Sequence, residues 1–208
     1  MEEVKLINIA KDDWKFDWPK EFDKATDIFF EGLEYFDEGD HKKARKLFDK
    51  ALAIYPEHID VLHHLAIISK EQESEDLLEK AYKTGVEAFP KEKEVRKLEW
   101  GWTENRPFLR VCHFKGLKLL EKGETDKALT LFNQMLNWNQ NDNQGVREIV
   151  ADIYVENKEW DKVIELNAKY PNDAMPTISF AFSLALFKKG NKDEATKKLK
   201  ECIEHLPK

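Results

Sequence analysis

Residues 32–56 read Gly32-Leu33-Glu34-Tyr35-Phe36-Asp37-Glu38-Gly39-Asp40-His41-Lys42-Lys43-Ala44-Arg45-Lys46-Leu47-Phe48-Asp49-Lys50-Ala51-Leu52-Ala53-Ile54-Tyr55-Pro56, and this stretch decides the fold. Gly39 is placed to end one helix and Asp40 to cap the next, while Gly32 offers a small residue where the two helices touch. Ile28, Gly32 and Tyr35 make one stripe at helical spacing, answered by Ala44, Phe48, Ala51 and Leu52. Ala44, Phe48, Ala51 and Pro56 recur as Leu78, Tyr82, Gly85 and Pro90, a constant shift of 34 residues. A fixed period in this range marks stacked helical repeats. The pattern returns in Gly116, Leu119, Gly123, Ala128, Phe132 and Met135, and again in Ser183, Leu186, Gly190, Ala195, Leu199, Cys202 and Pro207. A weaker copy runs through Val146, Val150, Ile153, Asn157, Val163, Leu166 and Pro171, so five helix pairs are expected.

These residues resemble the tetratricopeptide repeat (TPR), with repeats at about 25–58, 59–90, 109–142, 143–174 and 176–207. The resemblance implies an all-α, TPR-type superhelix of about five helix-turn-helix repeats, occupying 19–208 behind an extended segment at 1–18. The second repeat departs from the pattern, with Ser69 where an aromatic is expected, and residues 91–108 form an insertion between repeats two and three. A break in the superhelix is expected there. Arg106-Pro107-Phe108-Leu109-Arg110 and Asn141-Asp142-Asn143-Gln144-Gly145-Val146-Arg147 also resemble paired motifs of a bacterial TPR group distantly similar to the suppression-of-tumorigenicity family. The TPR likeness implies a protein-interaction scaffold, although repeats of this kind serve many unrelated processes.

Composition narrows the classes further. The 208 residues are 41% hydrophobic and 36% charged, and eight Gly with seven Pro are too few for a loop-rich β-protein or a low-complexity chain. A net charge of −7 disfavours generic attraction to nucleic acid or anionic membrane, so neither is expected as a partner. The N-terminus lacks a basic region followed by an apolar core, and no apolar run approaches the ~18 residues that span a bilayer. Cys112 and Cys202 stand far apart with no Cys-x-x-Cys, on stripes where free cysteine serves as a small apolar residue. A reducing cytoplasm is the expected compartment.

No phosphate loop, His-Glu-x-x-His, Gly-x-Ser-x-Gly or calcium-loop pattern occurs, so a non-catalytic protein without cofactor is expected. His58, His63 and His64 cluster, and His113 falls at the place in repeat three equivalent to His63 in repeat two. Imidazoles on adjacent helices can share a zinc. With no cysteine or carboxylate at ligand spacing to join them, they read as groove histidines, and no metal site is assigned.

The binding face is sought one residue around each first helix, on the inner surface of the superhelix. It carries Phe29, Phe30, Leu33 and Phe36 in repeat one, His113, Leu117 and Leu120 in repeat three, and Phe180, Leu184 and Phe187 in repeat five. An apolar strip of this length requires a cover: the neighbouring repeats, the protein's own tail, or a partner. Arg110, His113 and Arg147 are expected to converge beside it. Arginines so placed suit a carboxylate or phosphate, unless acidic neighbours such as Glu104, Asp142 or Glu148 pair with them. The peptide-binding set is therefore Phe29, Leu33, Phe36, His63, Arg110, His113, Leu117, Arg147, Phe180 and Phe187, for a protein or peptide partner with acidic character. The alternative is an enzyme or small-anion-binding protein built on Arg110, His113 and Arg147. Two aromatic groups lie outside the repeats. Trp14, Phe16 and Trp18 alternate with charged residues and are expected against the first repeat, and Trp100 and Trp102 are expected to fill the gap beside repeat three.

Overall fold

The structure is a computed structural model that describes residues 4–171, 173 and 175–205. Pro207, the final position of the repeat-five signature, lies outside the described residues. A two-stranded antiparallel hairpin, β1 (Lys5–Ala10) and β2 (Asp13–Asp17), precedes five helix pairs. The pairs are α1 (Lys20–Asp37) with α2 (His41–Ile54), α3 (Ile59–Ile68) with α4 (Glu71–Glu87), α5 (Arg106–Glu121) with α6 (Thr125–Trp138), α7 (Val146–Glu156) with α8 (Trp160–Lys169), and α9 (Pro176–Lys188) with α10 (Lys192–His205). The architecture is the TPR-type superhelix, and the period-34 signature falls on it element for element.

Two local devices recur among the pairs. The first is close approach at a missing side chain. A Cβ added to Gly32 on α1 would stand 2.6 Å from Cε1 of Phe48 on α2, and one on Gly116 of α5 would come closer still to the Phe132 ring on α6. Both rings are fully buried. The second device is the turn between paired helices, where one residue adopts a left-handed conformation and the next N–H reaches back five residues. Gly39, Gly123 and Gly190 serve in three pairs, and Asp40, Glu124 and Asn191 donate to the carbonyls of Tyr35, Leu119 and Leu186 at 2.8–2.9 Å. The fourth pair makes the same turn with Lys158 at φ 58°. In the second pair α3 stops at Ser69 in extended conformation. Arg45 of α2 bridges the altered turn, donating to the Ser69 hydroxyl and forming an ion pair with Glu73 at 2.8 Å.

The insertion at 91–108 is where the regular stack is interrupted, and the hairpin fills the interruption. Main-chain bonds run from Leu6 N–H to the Ala88 carbonyl at 3.2 Å, and between Trp14 and Lys97 and between Lys97 and Asp12 at 3.0–3.1 Å. Phe16, fully buried, meets Phe108 and Phe89 at ring separations of 5.4 and 6.5 Å. Trp14 is buried in the same core, and of the three expected against repeat one only Trp18 stacks there, on Phe22 at 4.3 Å. Trp102 likewise does not fill the gap: it is 40% exposed, with its indole N–H on the Asp13 carboxylate. The physical reason is that Leu98, Phe89 and Phe108 already occupy that space, together with Trp138. Asn105, fully buried in the short 3-10 turn Thr103–Asn105, joins the parts. Its Oδ1 accepts from Phe16 N–H at 3.1 Å, and its Nδ2 donates to the carbonyls of Trp14 and Glu99 at 3.0 Å.

Two stability outcomes follow from these contacts. Lys158→Gly relieves a left-handed side-chain conformation that costs about 1–2 kcal/mol, less the added freedom of the unfolded chain, and should raise stability by about 0.5–1 kcal/mol in denaturant unfolding. Asn105→Ala strands several buried partners at about 1–3 kcal/mol each, and should lower stability by about 3 kcal/mol or more by the same measurement.

Candidate functional site

The two sequence motifs flanking the third repeat meet in space. Arg106 opens α5 and donates through Nε to the Trp100 carbonyl at 3.0 Å, with its guanidinium 5.4 Å from the Trp100 ring centre. Pro107 takes the first turn of the helix, where a missing N–H is harmless. Phe108 and Leu109 are fully buried, and the Leu109 carbonyl accepts from Gln144 Nε2 at 3.2 Å, which joins the motifs directly.

The two arginines do not stand free. Arg110 donates two parallel bonds to the carboxylate of Asp60 on α3, with Nε at 3.0 Å and Nη2 at 2.5 Å, and Asp60 is 5% exposed. Arg147 donates through Nη1 to Asp142 at 2.8 Å and through Nε to Asp173 at 2.5 Å. Asp142 also accepts from the N–H groups of Val146 and Arg147 at 2.8–2.9 Å, which satisfies the first free donors of α7 from the turn before its N-cap Gly145. Burial would raise the Asp173 carboxyl, but the bonds it accepts from Arg147 and from Met175 N–H, together with the arginine's charge, hold it below the usual range, while the bond to Asp173 raises the arginine. The anion site expected where Arg110, His113 and Arg147 converge is thus corrected for its arginines: Arg110 and Arg147 already hold carboxylates. The partners anticipated for Arg110, Glu104 or Asp142, are replaced by Asp60, which lies one repeat earlier.

Between these pairs lies a neutral histidine zone. His63 is 8% exposed, and burial drives it down to about 3, with His64 and Arg110 adding to the effect. Burial also lowers His64 and His113. His63 Nδ1 and His113 Nε2 are buried without a hydrogen-bond partner among the described residues. His58 is different: burial lowers it to about 4, its Nδ1 accepts from Val61 N–H as the cap of α3, and its ring stacks on Phe22 at 4.0 Å.

The apolar strip divides in two. Phe29, expected as an exposed anchor, is 2% exposed and packs in the first-repeat core, because His64 of the next repeat covers it at a ring separation of 5.0 Å. Phe36 is half-buried against the same imidazole at 5.3 Å, and Leu33 and Leu117 are half-buried. At the other end Phe180, Leu184 and Phe187 are 39, 38 and 50% exposed. Phe30 is exposed as well, among the acidic residues of α1. Cys112 is fully buried, which pushes its thiol far up and removes it as a nucleophile. Among the described residues no helix is long and apolar enough to cross a membrane.

Removal of Arg147 should expose what the pairing contributes. Arg147→Ala leaves two carboxylates facing each other in a part-buried setting, and a loss of about 2–3 kcal/mol is expected in thermal or urea unfolding, at the lower end for buried pairs because the guanidinium keeps some solvent.

Comparison with known proteins places this geometry. A family model described as transcriptional repressor TCF25 matches residues 14–208, which include the second strand of the hairpin and every helix. No curated protein matches the sequence. Among solved structures, PilF of Pseudomonas aeruginosa superposes with a TM-score of 0.59 at 17% identity, over 91% of this chain and 80% of that one. The MamA protein gives 0.59 at 19% identity, over 89% and 92%. The structure of Naa15/Naa10 bound to HypK gives 0.55 at 14% identity, over 89% of this chain and 26% of that one. At these identities the likeness establishes the TPR fold.

Proposed function

Starting from a chain that belongs to the family described as transcriptional repressor TCF25, we propose a non-catalytic scaffold that holds an apolar segment of another protein on its inner surface. The observation that carries this reading is α9. Residues 176–187 contain no charge, and the helix buries Ile178, Ala181, Ala185 and Leu186 on one side while leaving Phe180, Leu184 and Phe187 in water on the other. A helix apolar on all sides is one that is covered on all sides. Lys192 stands 5.9 Å from the Phe187 ring centre, and Lys188 follows it in sequence, so acidic residues in the segment would find their counter-charge here rather than at Arg110 or Arg147. Naa15, a structural neighbour, is known in complex with Naa10 and HypK, which agrees with a partner-binding use of the fold. Both cysteines are free and buried, in keeping with a reducing cytoplasm.

Apolar contact should supply most of the affinity and the lysines mainly orientation and on-rate. Phe180→Ser combined with Phe187→Ser should abolish recovery of the partner in a tagged pulldown from the source organism. Stability should move by less than about 0.5 kcal/mol per site, since both rings are exposed. Recovery of the same partner by this double variant at wild-type yield would sink the proposal.

A further inference from the structure

Asp60, three residues before His63 on the same helix, supplies the carboxylate that the sequence reading does not credit to the histidines. Asp60, His63 and His64 stand at i, i+3 and i+4 on α3, and one ligand atom of each lies within 4.8 Å of the other two. Three independent features of these side chains go beyond mere proximity. His63 keeps Nδ1 buried with no hydrogen-bond partner among the described residues, a state that is costly unless the nitrogen meets something. His64 Nδ1 lies 2.7 Å from the main-chain oxygen of Asp60. A carbonyl only accepts, so the proton sits on Nδ1 and the lone pair on Nε2, which is how a backbone carbonyl orients a metal-binding imidazole. Arg110 takes two of the roughly four lone-pair sites on the Asp60 carboxylate and leaves the others open; ligating carboxylates are ordinarily held by such an outer hydrogen-bond partner.

We propose that Asp60, His63 and His64 bind a divalent transition metal of the zinc class on the face between repeats two and three, with a coordination position left open beside half-buried His64. The donor set selects the class. Two imidazoles and a carboxylate suit zinc and its first-row neighbours, whereas calcium and magnesium demand oxygen ligands. Zinc–nitrogen bonds of about 2.0–2.1 Å require the three ligand atoms to draw together on binding. The site is separate from the α9 surface and stands or falls without it.

The test is zinc titration of the purified, chelator-treated full chain by calorimetry and by thermal shift. One equivalent of zinc should bind and raise the melting temperature, and cobalt should give the visible absorption of a tetrahedral or five-coordinate nitrogen–oxygen site. His63→Asn with His64→Gln should weaken binding at least about tenfold, the lower end of what even an outer partner of a metal ligand contributes. Should that variant fold poorly, the wild type decides alone: the imidazole nitrogen resonances of His63 and His64 should shift on zinc addition. Absence of binding, binding undiminished in the folded variant, or unmoved resonances at these two residues would each overturn the proposal.

Discussion

The contact on which the array depends is Phe108 lying against Gly85. A Cβ at Gly85 would overlap Cδ2 of the Phe108 ring, so the second helix of repeat two and the first helix of repeat three approach closely with that one aromatic between them. That ring is fully buried, and it meets Tyr82, Phe89, Phe16 and Trp138 at centre separations of 5.4–6.0 Å. The contact lies where the sequence period fails, because half a repeat has no second helix with which to close its own flank. Residues from the hairpin and the insertion close it instead. What would otherwise be two short stacks, each with an uncovered end, therefore shares one continuous core.

The polar residues of the inner surface serve the same joints. Arg110 ties repeat three back to Asp60 of repeat two, and Arg147 ties the turn that caps α7 to the turn that precedes α9. Pairs this enclosed repay their desolvation only through good geometry, and their more general effect is to permit one arrangement of neighbours and penalise others. Here each cation spans two repeats, so the pairs act on the angle between successive units. Shape inside one pair is left to the glycine–phenylalanine contacts. The histidines between the arginines stay neutral because burial outweighs the nearby carboxylates. The result is a surface whose charges are spent on its own assembly.

Legibility in the sequence followed the range of the interaction. The recurring signature exposes every helix pair because each is built from contacts within a few turns, and those contacts leave a repeated trace. Asp60 was invisible as the partner of Arg110 because fifty residues separate them and the match arises only when repeats two and three are stacked. The hairpin had a partial signal: alternation at Trp14, Phe16 and Trp18 indicated an extended strand, but the edge that receives it is an irregular segment with no period to read. Phe29 and Phe180 show the limit most sharply. They hold equivalent places in their repeats, three positions before Gly32 and Ser183, yet one is 2% exposed and the other 39%. Nothing in either local sequence separates them.

What separates them is the neighbour. Phe29 and Phe36 are covered by His64, carried on the first helix of the repeat that follows. Phe180 and Phe187 occupy the matching places on α9, and among the described residues no helix stands beside them where α3 stands beside α1. For the partner proposed above, the packing of repeat one points to a helix seated on α9, with a ring or a branched apolar side chain where His64 meets Phe29 and Phe36. An extended strand would leave the spaces between Phe180, Leu184 and Phe187 unfilled, because those three recur at helical spacing and form a ridge that another helix's groove accepts. Under the function proposed above, the strip's chemistry asks for an apolar cover, and its buried counterpart in repeat one favours an amphipathic helix in that role.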